Sequence, residues 1–388
     1  MRIYLDYNAT APPAPGVVEA VAAAMAGVPG NASSVHAFGQ QAKAALDEAR
    51  SAVAALLGGE ASEVVFTSGG TEADNLALRG AAEALAPAGR RRLITTGIEH
   101  EAVLQTATAL ARHGWDVDVL PTDRSGILDP DALSAALAAD TALVSVMLAN
   151  NEIGTIQPVA ELARRAREAG ALFHTDAVQM AGKLPIDVKA LGVDLLSISG
   201  HKFGGPKGTG ALWMRRGVRL VPTETGGRQE RNRRAGTENV PALVGLGVAA
   251  RHAARTLSAT APAVAALRDQ LEQAVLARVP GTAVNGDRDR RVPNTANISV
   301  EGVEAESLLI ALDLEGVAVS TGSACSSGSL EPSHVLRAMG LPTARARQSI
   351  RFSLGPTTTA ADITFVADVL PGLVQKLRRL GRTAAALR

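Results

Sequence analysis

From Glu63 to about Arg251 one pattern recurs, and it constrains the fold more than any other feature of the chain. A short apolar run leads into a loop of Gly, Ser, Asn or Asp, and an amphipathic helical stretch comes after it. EVVFTSGGTEADNLALRGAAEAL is one such unit and RRLITTGIEHEAVLQTATALARHG the next; ALVSVMLANNEIG, ALFHTDAVQMAG, DLLSISGHKFGG and TGALWMRRG each carry a further strand-like core. PVAELARRAREAG places its apolar positions on one helical face. Strands alternating with helices predict an α/β fold with a mainly parallel sheet covered on both sides. Such sheets bind ligands beyond the carboxyl ends of their strands. Attention therefore falls on the residues just past each strand: SGGT, EH, ANNE, TDAVQ and SGHK.

The pattern changes after about Arg251. Two long helical stretches, broken near Ala259–Pro262, are expected next. A strand (NTANISV), a helix (ESLLIALDLEG), a Gly/Ser loop, a strand (SIRFSLG) and a final helix complete the chain. This predicts two domains: residues 15–257 as the large one, and residues 1–14 with 258–388 as a smaller α+β one. Thirty-nine basic residues against 38 acidic ones leave a net charge of +1, which argues against a nucleic-acid or membrane-surface binder. One cysteine cannot form an internal disulfide. The start MRIYLDYNATAPPAPG lacks the apolar core of a signal peptide, and no window approaches 18 apolar residues. A cytoplasmic protein is expected.

Single residues in the strand-end loops have ordinary readings. Lys202 in SISGHKFGG is a solvated turn lysine or a Schiff-base lysine. Asp176 in FHTDAVQ is a helix cap, or the carboxylate that keeps a pyridine nitrogen protonated. Gln179 is placed to donate to a phenolic oxygen of the same ring. Gly70 and Thr71 serve a turn or receive a phosphate at a helix N-terminus. His100 is a surface or core histidine, or a ring-stacking partner. The conjunction of lysine, carboxylate, phosphate cradle and flat partner at strand ends favours a pyridoxal phosphate site. The four arginines of RQERNRR (Arg228, Arg231, Arg233 and Arg234) fit an active-site wall or a dimer contact better than nucleic acid, because no wider basic field surrounds them. The lone cysteine, Cys325, sits in STGSACSSGS, where Gly and Ser impose few packing restraints. Inert cysteines are usually buried in apolar surroundings instead.

The blocks YLDYNATAP, NASSVHAFG, VVFTSGGTEADN, IEHEAVL, VSVMLANNEIGTIQP, FHTDAVQMAGK, SISGHKFGGPKGTGAL, GGRQERNRRAGTENV, VPNTANIS, STGSACSSGSLEPSHVLRAMG and SIRFSLG span nearly the whole chain. In these blocks the sequence resembles the cysteine desulfurases of the NifS/IscS-like group, class-V (fold-type-I) enzymes that depend on pyridoxal 5'-phosphate.

The resemblance implies a large domain with a mainly parallel seven-stranded sheet and a smaller α+β domain. It implies Lys202 as the Schiff-base lysine, Asp176 and Gln179 as partners of the ring nitrogen and phenolic oxygen, and His100 as the stacking residue and a proton donor or acceptor. Gly70, Thr71, Asn151, Ser199 and His201 become cofactor contacts, and Thr237 reaches the phosphate of a neighbouring subunit in a homodimer. Asn31 and Arg351 hold the substrate carboxylate, Arg351 by its planar guanidinium fork, and Asn151 also contacts the substrate. Cys325 becomes the nucleophile that takes sulfur from L-cysteine, leaving alanine and a persulfide, and through that persulfide a transient Fe–S ligand. The length of its loop resembles that of desulfurases with a mobile cysteine loop. A selenocysteine lyase shares most of these residues; an aminotransferase has no use for the cysteine, and a non-catalytic sulfur carrier has none for Lys202. The sulfur acceptor is left open among an Fe–S scaffold protein, nitrogenase-associated or general, tRNA thiolation and cofactor sulfuration.

Overall fold

The computed structural model describes residues 2–322 and 331–386; Cys325 lies outside them. Seven strands form the main sheet, in the order Val64–Thr67, Gly210–Met214, Leu195–Ser199, Leu172–Asp176, Thr141–Ser145, Arg92–Thr96 and Asp116–Leu120. Only Gly210–Met214 runs antiparallel to its neighbours; the remaining pairings are parallel. Six of the strands are buried along all or nearly all of their length, because helices cover both faces. This is the mainly parallel sheet that the alternating pattern predicts, with the seven strands that the resemblance implies. The order is not the chain order, so strands distant in sequence place their carboxyl ends side by side.

A second apolar core gathers around the antiparallel sheet Ser349–Ser353, Thr295–Val300 and Thr282–Asn285. The opening residues belong to it. Ile3–Tyr4 pairs in parallel with Val317–Ala318, and Ile3 and Leu5 are buried there. The chain then crosses to the main sheet through Asn8, Ala9 and Thr10, which line the cleft at the strand ends.

The expected break near Ala259–Pro262 is absent. Val240–Arg278 is one helix of 39 residues with Pro262 inside it. An interior proline removes a hydrogen bond and costs about 3 kcal/mol or more. Here that cost is outweighed by burial on both sides of it: Leu243, Leu246 and Ala250 pack into the large core, and Val264, Leu271 and Val275 into the second one. Pro262 itself is exposed, so water can reach the carbonyl it leaves unbonded.

Candidate active site

The strand ends surround a cleft of about 650 Å³. Each wall follows from a local rule. Strand Val64–Thr67 passes through Ser68 and Gly69 into helix Gly70–Leu85, so the first N–H groups of that helix stand at the cleft. Gly70 is required there: a Cβ would lie 2.7 Å from Val178 Cγ2. Glu72 in the first turn suits the helix dipole and accepts from Arg234 Nε at 2.8 Å. Strand Arg92–Thr96 leads to His100, which caps helix Glu101–Arg112 by accepting from Ala102 N with Nδ1 at 3.1 Å.

Asp176 ends its strand, is 4% exposed and accepts from Val178 N at 2.9 Å. Burial pushes its carboxyl up, and the nearby His100, the Val178 N–H and Lys202 offset only part of that rise. Lys202, on the turn Gly200–Lys202 after strand Leu195–Ser199, donates to Asn8 O at 2.6 Å and to Ala9 O at 3.0 Å. His201 shares a hydrogen bond of 3.1 Å with Thr10 Oγ1. Burial, with Lys202 and Lys207, lowers its pKa to about 4, so its imidazole is neutral near pH 7.

Of the residues singled out from sequence, Gly70, Thr71, His100, Asn151, Asp176, Gln179, Ser199, His201, Lys202 and Arg351 all line this one cleft. Asn31 and Thr237 are exposed and do not line it. The described residues before Cys325 end at Gly322, which does. Arg351 is almost wholly buried: Nη1 donates to Asn151 O at 2.9 Å and Nη2 to Asp6 Oδ1 at 2.7 Å, while Nε has no hydrogen-bond partner among the described residues. Three of the four arginines of RQERNRR are tied into the protein, and Arg228 is exposed. Arg231 and Arg233 donate to Ser62 O, and Arg234 pairs with cleft-lining Glu72.

Several site residues carried no sequence signal. Asn8 is 1% exposed and bonds both cores: Nδ2 donates to Asn151 O and Thr295 Oγ1, and Oδ1 accepts from Lys183 and Asn294. Its place in the YLDYNATAP block was the only available pointer. Asp74 lines the cleft from the second turn of its helix, with Oδ1 buried and without a hydrogen-bond partner among the described residues. Burial and the charge of Asp176 push it well above the carboxylate range. His174 Nε2 lies 3.5 Å from that oxygen, but burial lowers the imidazole to about 3, so the contact is between neutral groups. Its ring nitrogens are occupied by Ser145 Oγ and Ser197 Oγ.

A lysine and a buried carboxylate at adjacent strand ends, facing a helix N-terminus, define the class: the family description Aminotransferase class-V matches residues 3–366, and the chain belongs to that family. Within it the chain belongs with the cysteine desulfurases. It is 51% identical to a cysteine desulfurase of Nostoc sp. over 378 residues, covering 97% of this chain and 94% of that protein. It is 48% identical to the cysteine desulfurase IscS of Dictyoglomus turgidum over 379 residues, covering 98% and 96%. Among solved structures, a NifS-like protein superposes with a TM-score of 0.91 at 36% identity, covering 97% of this chain and all of that one. A NifS-like protein from Rickettsia africae gives 0.87 at 32%, with the same coverage.

The cofactor of this family is pyridoxal phosphate, and the cleft fits it. Gly70 opens a cradle that a side chain would fill, the helix N-terminus there favours an anion, and the buried Asp176 supplies a carboxylate for a ring nitrogen.

Proposed function

We propose that this cleft removes sulfur from L-cysteine and leaves it as a persulfide on Cys325. The observation that carries the reading is that Lys202 and Asp176 share one cleft in a chain whose cysteine desulfurase relatives match it over nearly its full length. Pyridoxal phosphate, when bound, supplies an electron sink for the pair left at Cα once its proton is removed. In this reading Lys202 would hold the cofactor and, as a free amine, would take the proton from Cα. Asp176 would hold the proton of the ring nitrogen, Gln179 would donate to the phenolic oxygen, and His100 would flank the ring and exchange a proton. Gly70, Thr71, Ser199 and His201 hold the phosphate, and Asn151 contacts the cofactor and, with Asn31 and Arg351, the substrate. A substrate carboxylate competes with Asp6 for Arg351, 2.7 Å away. The Cys325 thiolate attacks the substrate sulfur: an S–S bond forms, the sulfur–Cβ bond breaks, and the carbon fragment takes up protons and leaves as alanine.

The division into a large domain of residues 15–257 and a small one of 1–14 with 258–388 is part of the reading; the apolar packing around the main sheet and that around the antiparallel sheet support it, and a small cluster of Ile98, Met147 and Ile153 with Val335, Leu336 and Met339 joins the two. So is a homodimer in which Thr237 reaches the neighbouring phosphate, supported by the exposure of Asn31 and Thr237 away from their own cleft. The sulfur goes to an acceptor protein for Fe–S cluster assembly, nitrogenase-associated or general, and the Cys325 persulfide ligates iron transiently as it leaves. The compartment in this reading is the cytoplasm; no helix among the described residues is long and apolar enough to cross a membrane.

The Cys325→Ala variant tests this. It removes the only thiol in the chain. The variant is expected to stay yellow and to shift its spectrum when mixed with L-cysteine, yet to release no alanine beyond background without an added thiol. Alanine production near the parent rate would replace this reading with a lyase that expels sulfur directly.

A further inference from the structure

A second lysine stands behind the cleft. Lys183 lies one turn after Gln179, and its Nζ donates to Gln179 Oε1 at 2.6 Å and to Asn8 Oδ1 at 2.8 Å. A carboxamide is nearly symmetric in shape, and only its hydrogen-bond partners decide which end is oxygen and which is NH2. A lysine ammonium donates and cannot accept, so it draws both amide oxygens toward itself. The Gln179 NH2 is thereby turned away from Lys183; it donates to Asn8 O at 3.0 Å, on the cleft wall. The same lysine turns Asn8 so that its NH2 serves Asn151 O and Thr295 Oγ1. Asn8 O in turn accepts from Lys202.

We propose that Lys183 is a positioning residue that locks the Gln179 carboxamide with its NH2 end toward the phenolic oxygen of the cofactor. The inference rests on the desulfurase reading of the cleft, in which Gln179 serves that oxygen. The charged groups facing Lys183 are Lys202 and Arg351, the latter paired with Asp6. Burial and those two cations push Lys183 well below the usual lysine range. A neutral amine still has two N–H groups, enough for both oxygens, and an amide turned to donate to its lone pair would set Gln179 Oε1 against Asn8 O and lose the 3.0 Å bond there.

The test uses the holoenzyme and reads the pH midpoint of the visible band of the lysine-linked chromophore. A donor to the phenolic oxygen lowers that midpoint, because the oxygen depends more on an outside donor once the linkage loses its proton. Lys183→Met and Gln179→Met are each expected to raise the midpoint by about one pH unit, with unfolding temperatures showing both variants folded. The double variant is expected to shift no further than Gln179→Met alone, since Lys183 acts through that amide. Lys183→Arg, which keeps donors, is expected to return the midpoint toward the parent value. An unchanged midpoint in Lys183→Met, or additive shifts in the double variant, would overturn the proposal; additivity would mean that Lys183 acts as a bare charge. If Lys183→Met does not fold, Lys183→Arg decides: the parent midpoint supports the proposal, and a shift as large as that of Gln179→Met overturns it. A parent protein with no lysine-linked band would instead refute the reading of the cleft.

Discussion

Replacing Asn8 by alanine removes one small side chain and four hydrogen bonds. Asn151 O and Thr295 Oγ1 lose a donor at 3.0 and 2.8 Å; Lys183 and Asn294 lose an acceptor at 2.8 and 2.9 Å. None of these partners is orphaned. Arg351 still serves Asn151 O, Asn294 Oδ1 still accepts from Thr295, Gln179 still accepts from Lys183, and Leu354 O from Asn294. The cost is therefore the net value of the bonds, about 1 kcal/mol apiece and about 4 kcal/mol in all, without the larger penalty of stranded buried groups. With an unfolding entropy of about 2.1 cal/mol/K per residue over 388 residues, that corresponds to a fall of about 5 °C in Tm. Scanning calorimetry of the holoenzyme at fixed cofactor concentration measures it. A fall below about 1 °C would show that water replaces the amide at no cost, and that Asn8 does not tie the two cores together.

Gly70→Ala puts a Cβ 2.7 Å from Val178 Cγ2; overpacking of about 1–3 kcal/mol and weaker retention of pyridoxal phosphate on dialysis are expected. Glu230 accepts both Arg50 nitrogens and Phe66 N, and it begins three successive left-handed residues at φ 46°, 59° and 62°. Glu230→Ala strands a buried guanidinium and is expected to cost about 3–5 kcal/mol, read by denaturant unfolding. Burial raises the Glu99 pKa from 4.5 to about 8, so the native state binds the extra proton between those values. Its stabilising contribution is complete below the unfolded pKa and is lost as pH rises through about 8. Glu99→Gln is expected to flatten the decline in stability over that window, and an unchanged pH profile would refute the assignment.

The alternation of strands and helices was legible in the amino-acid order alone, and with it the parallel sheet and the strand ends as the place of the site. Those follow from local periods: a strand buried on both faces is apolar throughout, and its helix shows one apolar side. Lys202, Asp176, His100 and Gly70 were legible because each stands at or a few residues past the end of its own strand. That Asn8 and Lys183 belong beside them emerges from the folded chain. Asn8 reaches the cleft because Ile3–Tyr4 pairs with Val317–Ala318, more than 300 residues away in the chain, and no local pattern encodes such a pairing. The same holds for the helix through Pro262. Proline predicts a break from local backbone geometry, and burial in two cores at once, visible only when the chain is folded, overrides it.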